Sequence, residues 1–82
     1  MGPVLKVSFE TKPPALLIIA PKRVVAKAHD RNRFKRVVRE FFRLNKDTIS
    51  SGKWVVVAKQ NNATVTNQQI REALAKQIAK LK

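Results

Sequence analysis

Six consecutive apolar residues, Ala15-Leu16-Leu17-Ile18-Ile19-Ala20, stand between Pro14 and Pro21. A proline donates no backbone N–H and restricts the residue before it, so regular pairing stops at both boundaries. A short apolar run bounded in this way reads as a strand, and its unbroken hydrophobicity predicts burial on both faces. The segment ahead of it, Val4 to Thr11, alternates instead. Leu5, Val7 and Phe9 fall on one side, and Lys6, Ser8 and Glu10 on the other. That period of two is the pattern of a half-buried strand. Only Lys12-Pro13-Pro14 separates the two segments, so a β-hairpin turning through the prolines is the simplest arrangement.

Beyond Pro21 the period changes. Lys22 to His29 is a basic connection, and Phe34, Val37, Val38, Phe41 and Leu44 then recur at helical spacing. This predicts a helix opening at His29 or Asp30 and running to about Leu44, with Asp30 as its cap and its negative charge at the positive helix end. Asn45 to Gly52 is polar and turn-rich. Lys53 to Lys59, with Trp54, Val55, Val56, Val57 and Ala58, reads as a third strand suited to a sheet interior. Gln60 to Val65 is a loop. Thr66-Asn67-Gln68-Gln69 resembles a capping box, and it opens a closing helix over about Asn67 to Leu81 whose buried stripe is Ile70, Leu74, Ile78 and Leu81. The order strand, strand, helix, strand, helix predicts one α+β domain over residues 1–82. Its three-stranded sheet (ββαβα order) packs with two helices, and a βαβ crossover joins two parallel strands.

Eighteen Lys and Arg oppose five Asp and Glu, a net charge of +13, yet 44% of the residues are hydrophobic. The chain therefore folds rather than forming a disordered basic tail, and its self-repulsion calls for a polyanion. A signal peptide, a membrane span and a disulfide framework are all unexpected. The chain has no cysteine, and neither a long apolar stretch nor a basic-then-apolar start. A cytoplasmic setting fits, with no membrane partner.

The cations are ordered. At about 100° per residue, Asn32, Arg36, Arg39 and Arg43 share a stripe opposite Phe34 and Phe41, with Arg31 and Lys35 on its shoulder. Guanidinium groups at that density suit phosphate oxygens, which their planar forks bind bidentately. A merely solvated face would mix signs, whereas Arg31 to Arg43 holds six basic residues and one carboxylate, Glu40. Glu40 is read as the ion-pair partner of a neighbouring arginine, not as a base. The single histidine, His29, is read as a cap or an RNA contact.

The five carboxylates (Glu10, Asp30, Glu40, Asp47, Glu72) lack acid–base or metal-ligand spacing, and Gly2 and Gly52 are too few for a phosphate loop. No self-sufficient active site is expected. Phe34 and Phe41 belong to the core by spacing, and Trp54 to the core or a sheet edge. Phe42 is semi-exposed beside Lys35. Phe9 is weighed between core and a stacking platform for single-stranded bases.

The run Arg31-Asn32-Arg33-Phe34-Lys35-Arg36-Val37-Val38-Arg39-Glu40-Phe41-Phe42-Arg43 resembles the signature of the bacterial ribonuclease P protein family. Lys27-Ala28-His29-Asp30 before it, Trp54-Val55-Val56-Val57-Ala58-Lys59 after it, and the last helix extend the likeness to the proteobacterial branch over roughly residues 15–82. The resemblance implies a ribosomal-protein-like fold with a left-handed crossover. It also implies a subunit that binds a catalytic RNA and helps it hold precursor tRNA, whose 5′ leader is cut by Mg²⁺ bound to RNA.

No small-molecule cofactor is implied. The RNA-binding residues carried over are Arg31, Asn32, Arg33, Lys35, Arg36, Arg39 and Arg43. Lys22, Arg23, Lys27 and His29 join them, and Phe9 and Lys6 stand as leader contacts. Two departures mark the chain. It lacks the helix with which family members usually begin, and it has Pro21-Lys22-Arg23 where they favour a small residue and two lysines. A general RNA-binding module, such as a ribosomal protein or RNA chaperone, shares the charge but not the arginine spacing. A DNA reader lacks a helix-turn-helix partner, and a membrane-surface helix would need the apolar stripe that the sheet requires.

Overall fold

The computed structural model describes residues 4–11, 14–47, 49, 52–61 and 63–81. Its elements are β1 (Leu5–Glu10), β2 (Ala15–Ile19), α1 (Ala28–Leu44), β3 (Lys53–Ala58) and α2 (Asn67–Leu81). This is the α+β order expected. The sheet order is not: it runs β1-β3-β2, with β3 antiparallel to β1 and parallel to β2.

The expected hairpin through the prolines is therefore absent, because β1 and β2 do not pair. The reason lies in β3, which is apolar at every position from Trp54 to Ala58. At a sheet edge one row of its backbone groups would lack ladder partners. In the centre both rows are paired. β2 then reaches β3 through α1, as parallel neighbours require.

Register assigns the faces. Phe9 lies opposite Trp54, and Val7 opposite Val56; Leu16 and Ile18 flank the same two β3 residues from the other side. With Leu5 and Ala58, this face carries both helices. Its core includes Phe34, Val37 and Val38 of α1, and Ile70, Leu74 and Ile78 of α2. The opposite face carries Lys6, Ser8 and Glu10 of β1, Val55 and Val57 of β3, and Leu17 and Ile19 of β2. Leu17 and Ile19 are each 44% exposed. The expectation that β2 is buried on both faces is thus corrected: the helices cover one face only, and β2 lies at the sheet edge.

Three helix details also shift. α1 begins at Ala28 after Lys27, which offers no side-chain cap; Asp30 lies inside the first turn, buried. There its carboxylate still faces the positive end of the helix. Leu44 and Leu81, expected in the buried stripes, are 67% and 45% exposed. Both are the final residues of their helices, and Leu44 also falls at the flank of the α1 wheel. The capping box forms as expected: Thr66 N–H donates to Gln69 Oε1 at 2.9 Å, and Gln69 N–H to Thr66 Oγ1 at 3.1 Å.

Two contacts fix the rim of the sheet. Gly52 lies against the Phe9 ring, where an added Cβ would come within 2.4 Å of Cε1, so no larger residue fits without displacing that ring. On the outer edge of β1, Gln77 of α2 accepts from Val7 N–H at 2.8 Å and donates to the Leu5 carbonyl. Its amide does what a neighbouring strand would do. Gln77→Leu should leave both backbone groups unpaired at a part-buried site and cost about 1–3 kcal/mol. Urea denaturation checks this, and a midpoint equal to that of the wild type would refute the edge role.

Candidate nucleic-acid interface

α1 separates its two chemistries along its length. Phe34, Val37 and Val38 are buried against the sheet and α2, while Asn32, Arg36, Arg39 and Arg43 are all exposed. These four rise about 16 Å along the helix axis. Arg36, Arg39, Glu40 and Arg43 line a shallow hollow of about 210 Å³. The local ion pair expected of Glu40 is not formed among the described residues. Glu40 is itself exposed, and water solvates it at no side-chain entropy cost. The three arginines therefore keep their donors for an outside anion.

The rest of the α1 motif behaves differently. Arg31 Nη1 donates to the carbonyls of Val25 and Ala26, both at 2.8 Å. Arg33 Nη1 donates to Asn67 Oδ1 at 2.7 Å, linking α1 to the first residue of α2. Both side chains are half-buried, as is Lys35, which shares a shoulder with Arg31 while Arg33 lies on the opposite one. The Arg-Asn-Arg triplet thus presents only its middle residue squarely to solvent. Helical spacing alone places Arg31 and Arg33 beside the stripe; their partners, two carbonyls of the connection and the first residue of α2, are set by the tertiary fold, which no period reveals.

Lys22, Arg23 and Lys27 are exposed on the connection between β2 and α1. Pro21 O accepts from Val24 N–H at 2.9 Å and Val25 N–H at 2.8 Å, and the Val25 side chain is wholly buried. The connection enters α1 at Lys27, so its three exposed cations precede the arginine stripe along the chain. His29 projects there too, its side chain 88% exposed and its Nδ1 3.7 Å from Asp30 Oδ1. It is not a cap.

Phe9 and Lys6 are not brought together. They occupy opposite faces of β1, as their odd spacing dictates. Phe9 packs on the helix side with its ring centroid 4.5 Å from Trp54, which lies 5.7 Å from Phe42. These rings form a wall of the core; Trp54 is only 4% exposed. Lys6 stands on the uncovered face, among Leu17, Ile19, Val55 and Val57. That face carries no aromatic residue.

Among the described residues no three His, Cys, Asp or Glu side chains gather where they could hold a metal ion. No described helix is long and apolar enough to cross a membrane.

A family model described as Ribonuclease P matches residues 3–82. The ribonuclease P protein component of Desulforapulum autotrophicum is 40% identical over 73 residues, which is 88% of this chain and 62% of the relative. That of Yersinia enterocolitica is 41% identical over 63 residues, 77% of this chain and 53% of the relative. The chain therefore spans between half and two-thirds of the length of these relatives. Among solved structures, the Staphylococcus aureus RNase P protein matches with a TM-score of 0.84 at 27% identity, covering 95% of this chain and 74% of that one.

Proposed function

The chain belongs to the ribonuclease P protein family, and on that premise we propose that it serves as the protein subunit of an RNA-based endoribonuclease. In this role it binds the catalytic RNA subunit and helps it hold precursor tRNA for removal of the 5′ leader. One observation carries the proposal: Arg36, Arg39 and Arg43 stand in a row on the solvent side of α1, with no described carboxylate paired to any of them. A row of unpaired guanidiniums on a rigid helix matches phosphates along an RNA strand. Lys22, Arg23 and Lys27 lengthen the band, and Asn32 supplies a neutral donor within it.

The protein supplies charge and position rather than chemistry. Among the described residues the carboxylates gather at no metal site, and in this proposal the Mg²⁺ that drives cleavage is held by RNA. Phe9 is engaged with Trp54, so a leader crossing the sheet would meet the uncovered face at Lys6. It would pack there on aliphatic side chains, without an aromatic platform.

The test is cleavage of precursor tRNA by a bacterial ribonuclease P RNA at low Mg²⁺, with and without the chain. Stimulated cutting at the mature 5′ end is expected, because a +13 protein replaces counterions that Mg²⁺ otherwise provides. Tight binding without stimulation would remove the precursor-handling half of the proposal. Neither binding nor stimulation would overturn it and favour a general RNA-binding module.

A further inference from the structure

Within the proposed RNA-binding role, on which this inference rests, we propose that Arg31 is a positioning residue that acts through Lys22 and Arg23, not a phosphate ligand in its own right. The connection from Pro21 to Lys27 carries three exposed cations, which repel one another and the nearby stripe. Such a segment stays in one place only if something holds it.

Two devices do so. The buried Val25 side chain anchors it from the core side. From α1, Arg31 Nη1 binds the carbonyls of Val25 and Ala26. Those carbonyls are the last two before Lys27, the residue that enters α1 with no side-chain cap. Arg31 therefore fixes the path of the chain into the helix, where a capping side chain is missing, and with it the placement of Lys22 and Arg23. Its half-buried position on the shoulder of the stripe fits a guanidinium turned toward the protein, while Asn32, one residue on, faces solvent.

Two measurements on the intact chain test this. The first is amide exchange in the free protein. In Arg31→Ala, the Val24 and Val25 amides, both bonded to Pro21 O, should exchange at least about tenfold faster, the loss expected when a charge-assisted hydrogen bond is removed. The second is affinity for ribonuclease P RNA across a salt series, for wild type, Arg31→Ala, the pair Lys22→Ala with Arg23→Ala, and all three together. In an otherwise wild-type chain the pair should lower the slope of log K against log salt by about two. In the Arg31→Ala chain the same pair should lower it by less than half as much, because the cations are already displaced. Arg31→Lys keeps the charge but lacks the planar fork, and it should not restore binding.

Additive slopes, unchanged exchange and full rescue by Arg31→Lys would overturn the positioning role and make Arg31 a phosphate ligand. If the wild-type chain shows no salt-dependent binding at all, the RNA-binding role fails, while the exchange data still decide whether Arg31 clamps the connection.

Discussion

Replacing Arg36, Arg39 and Arg43 together by alanine should weaken binding to ribonuclease P RNA by about two orders of magnitude at 0.15 M salt and lower the salt slope by about three. The estimate follows from counterion release: each phosphate contact contributes a slope of roughly 0.9 for a duplex, so three contacts dominate as salt is diluted. The fold should not suffer. All three side chains are exposed, none is ion-paired among the described residues, and alanine is the stronger helix former. Removing three charges from a net +13 also relieves self-repulsion, so the unfolding temperature should hold or rise. Binding across 0.05–0.3 M salt, with thermal unfolding of the same samples, checks both halves. A slope that stays within half a unit of wild type would place the RNA elsewhere on the molecule.

Such a variant isolates what the sequence could reveal. The arginine stripe is a local property of one helix, and local periodicity carries it in full. The five elements are equally legible, because each is bounded by a change of period or by proline. What escaped is long-range. Nothing in Val4–Ala20 tells whether two adjacent strands pair with each other or with a third that arrives thirty-odd residues later. The loop-closure entropy separating the alternatives is small, and the apolar demand of β3 on both edges decides it.

The same displacement misplaces β2. Leu17 and Ile19 look as apolar as any core residue, yet they face the uncovered side of the sheet. Arg31 and Arg33 show a different limit. A spacing rule gives a direction from the helix axis, while their hydrogen bonds reach the Val25 and Ala26 carbonyls and Asn67, which that direction does not name. Gln77 is the extreme case, pairing with Leu5 and Val7 about seventy residues away. A glutamine at the flank of an apolar stripe was its only trace.

Phe34→Ala should act on the opposite side of the same helix and by the opposite route. Phe34 is fully buried in the cluster that joins both helices to the sheet. Truncating a buried phenylalanine costs about 3–5 kcal/mol, and a chain of this length holds only roughly 4–12 kcal/mol in total. The unfolding temperature should fall by at least about 12 °C. Trp54, the sole tryptophan and only 4% exposed, reports the transition by fluorescence, and a fall of less than 3 °C would contradict the placement of Phe34 at the centre of the core.

The loss should also be partly reversible. The proposed RNA-binding band exists only when α1 is helical, so tight RNA binding is expected of the folded state. At a hundred times Kd it returns about 2.7 kcal/mol, most of what a 3 kcal/mol lesion removes. The unfolding transition of Phe34→Ala should therefore move upward when RNA is added, whereas that of the triple arginine variant should barely move. The two variants separate the faces of one helix, one holding the fold and the other proposed to hold the RNA, because each should fail only the assay that its own face controls.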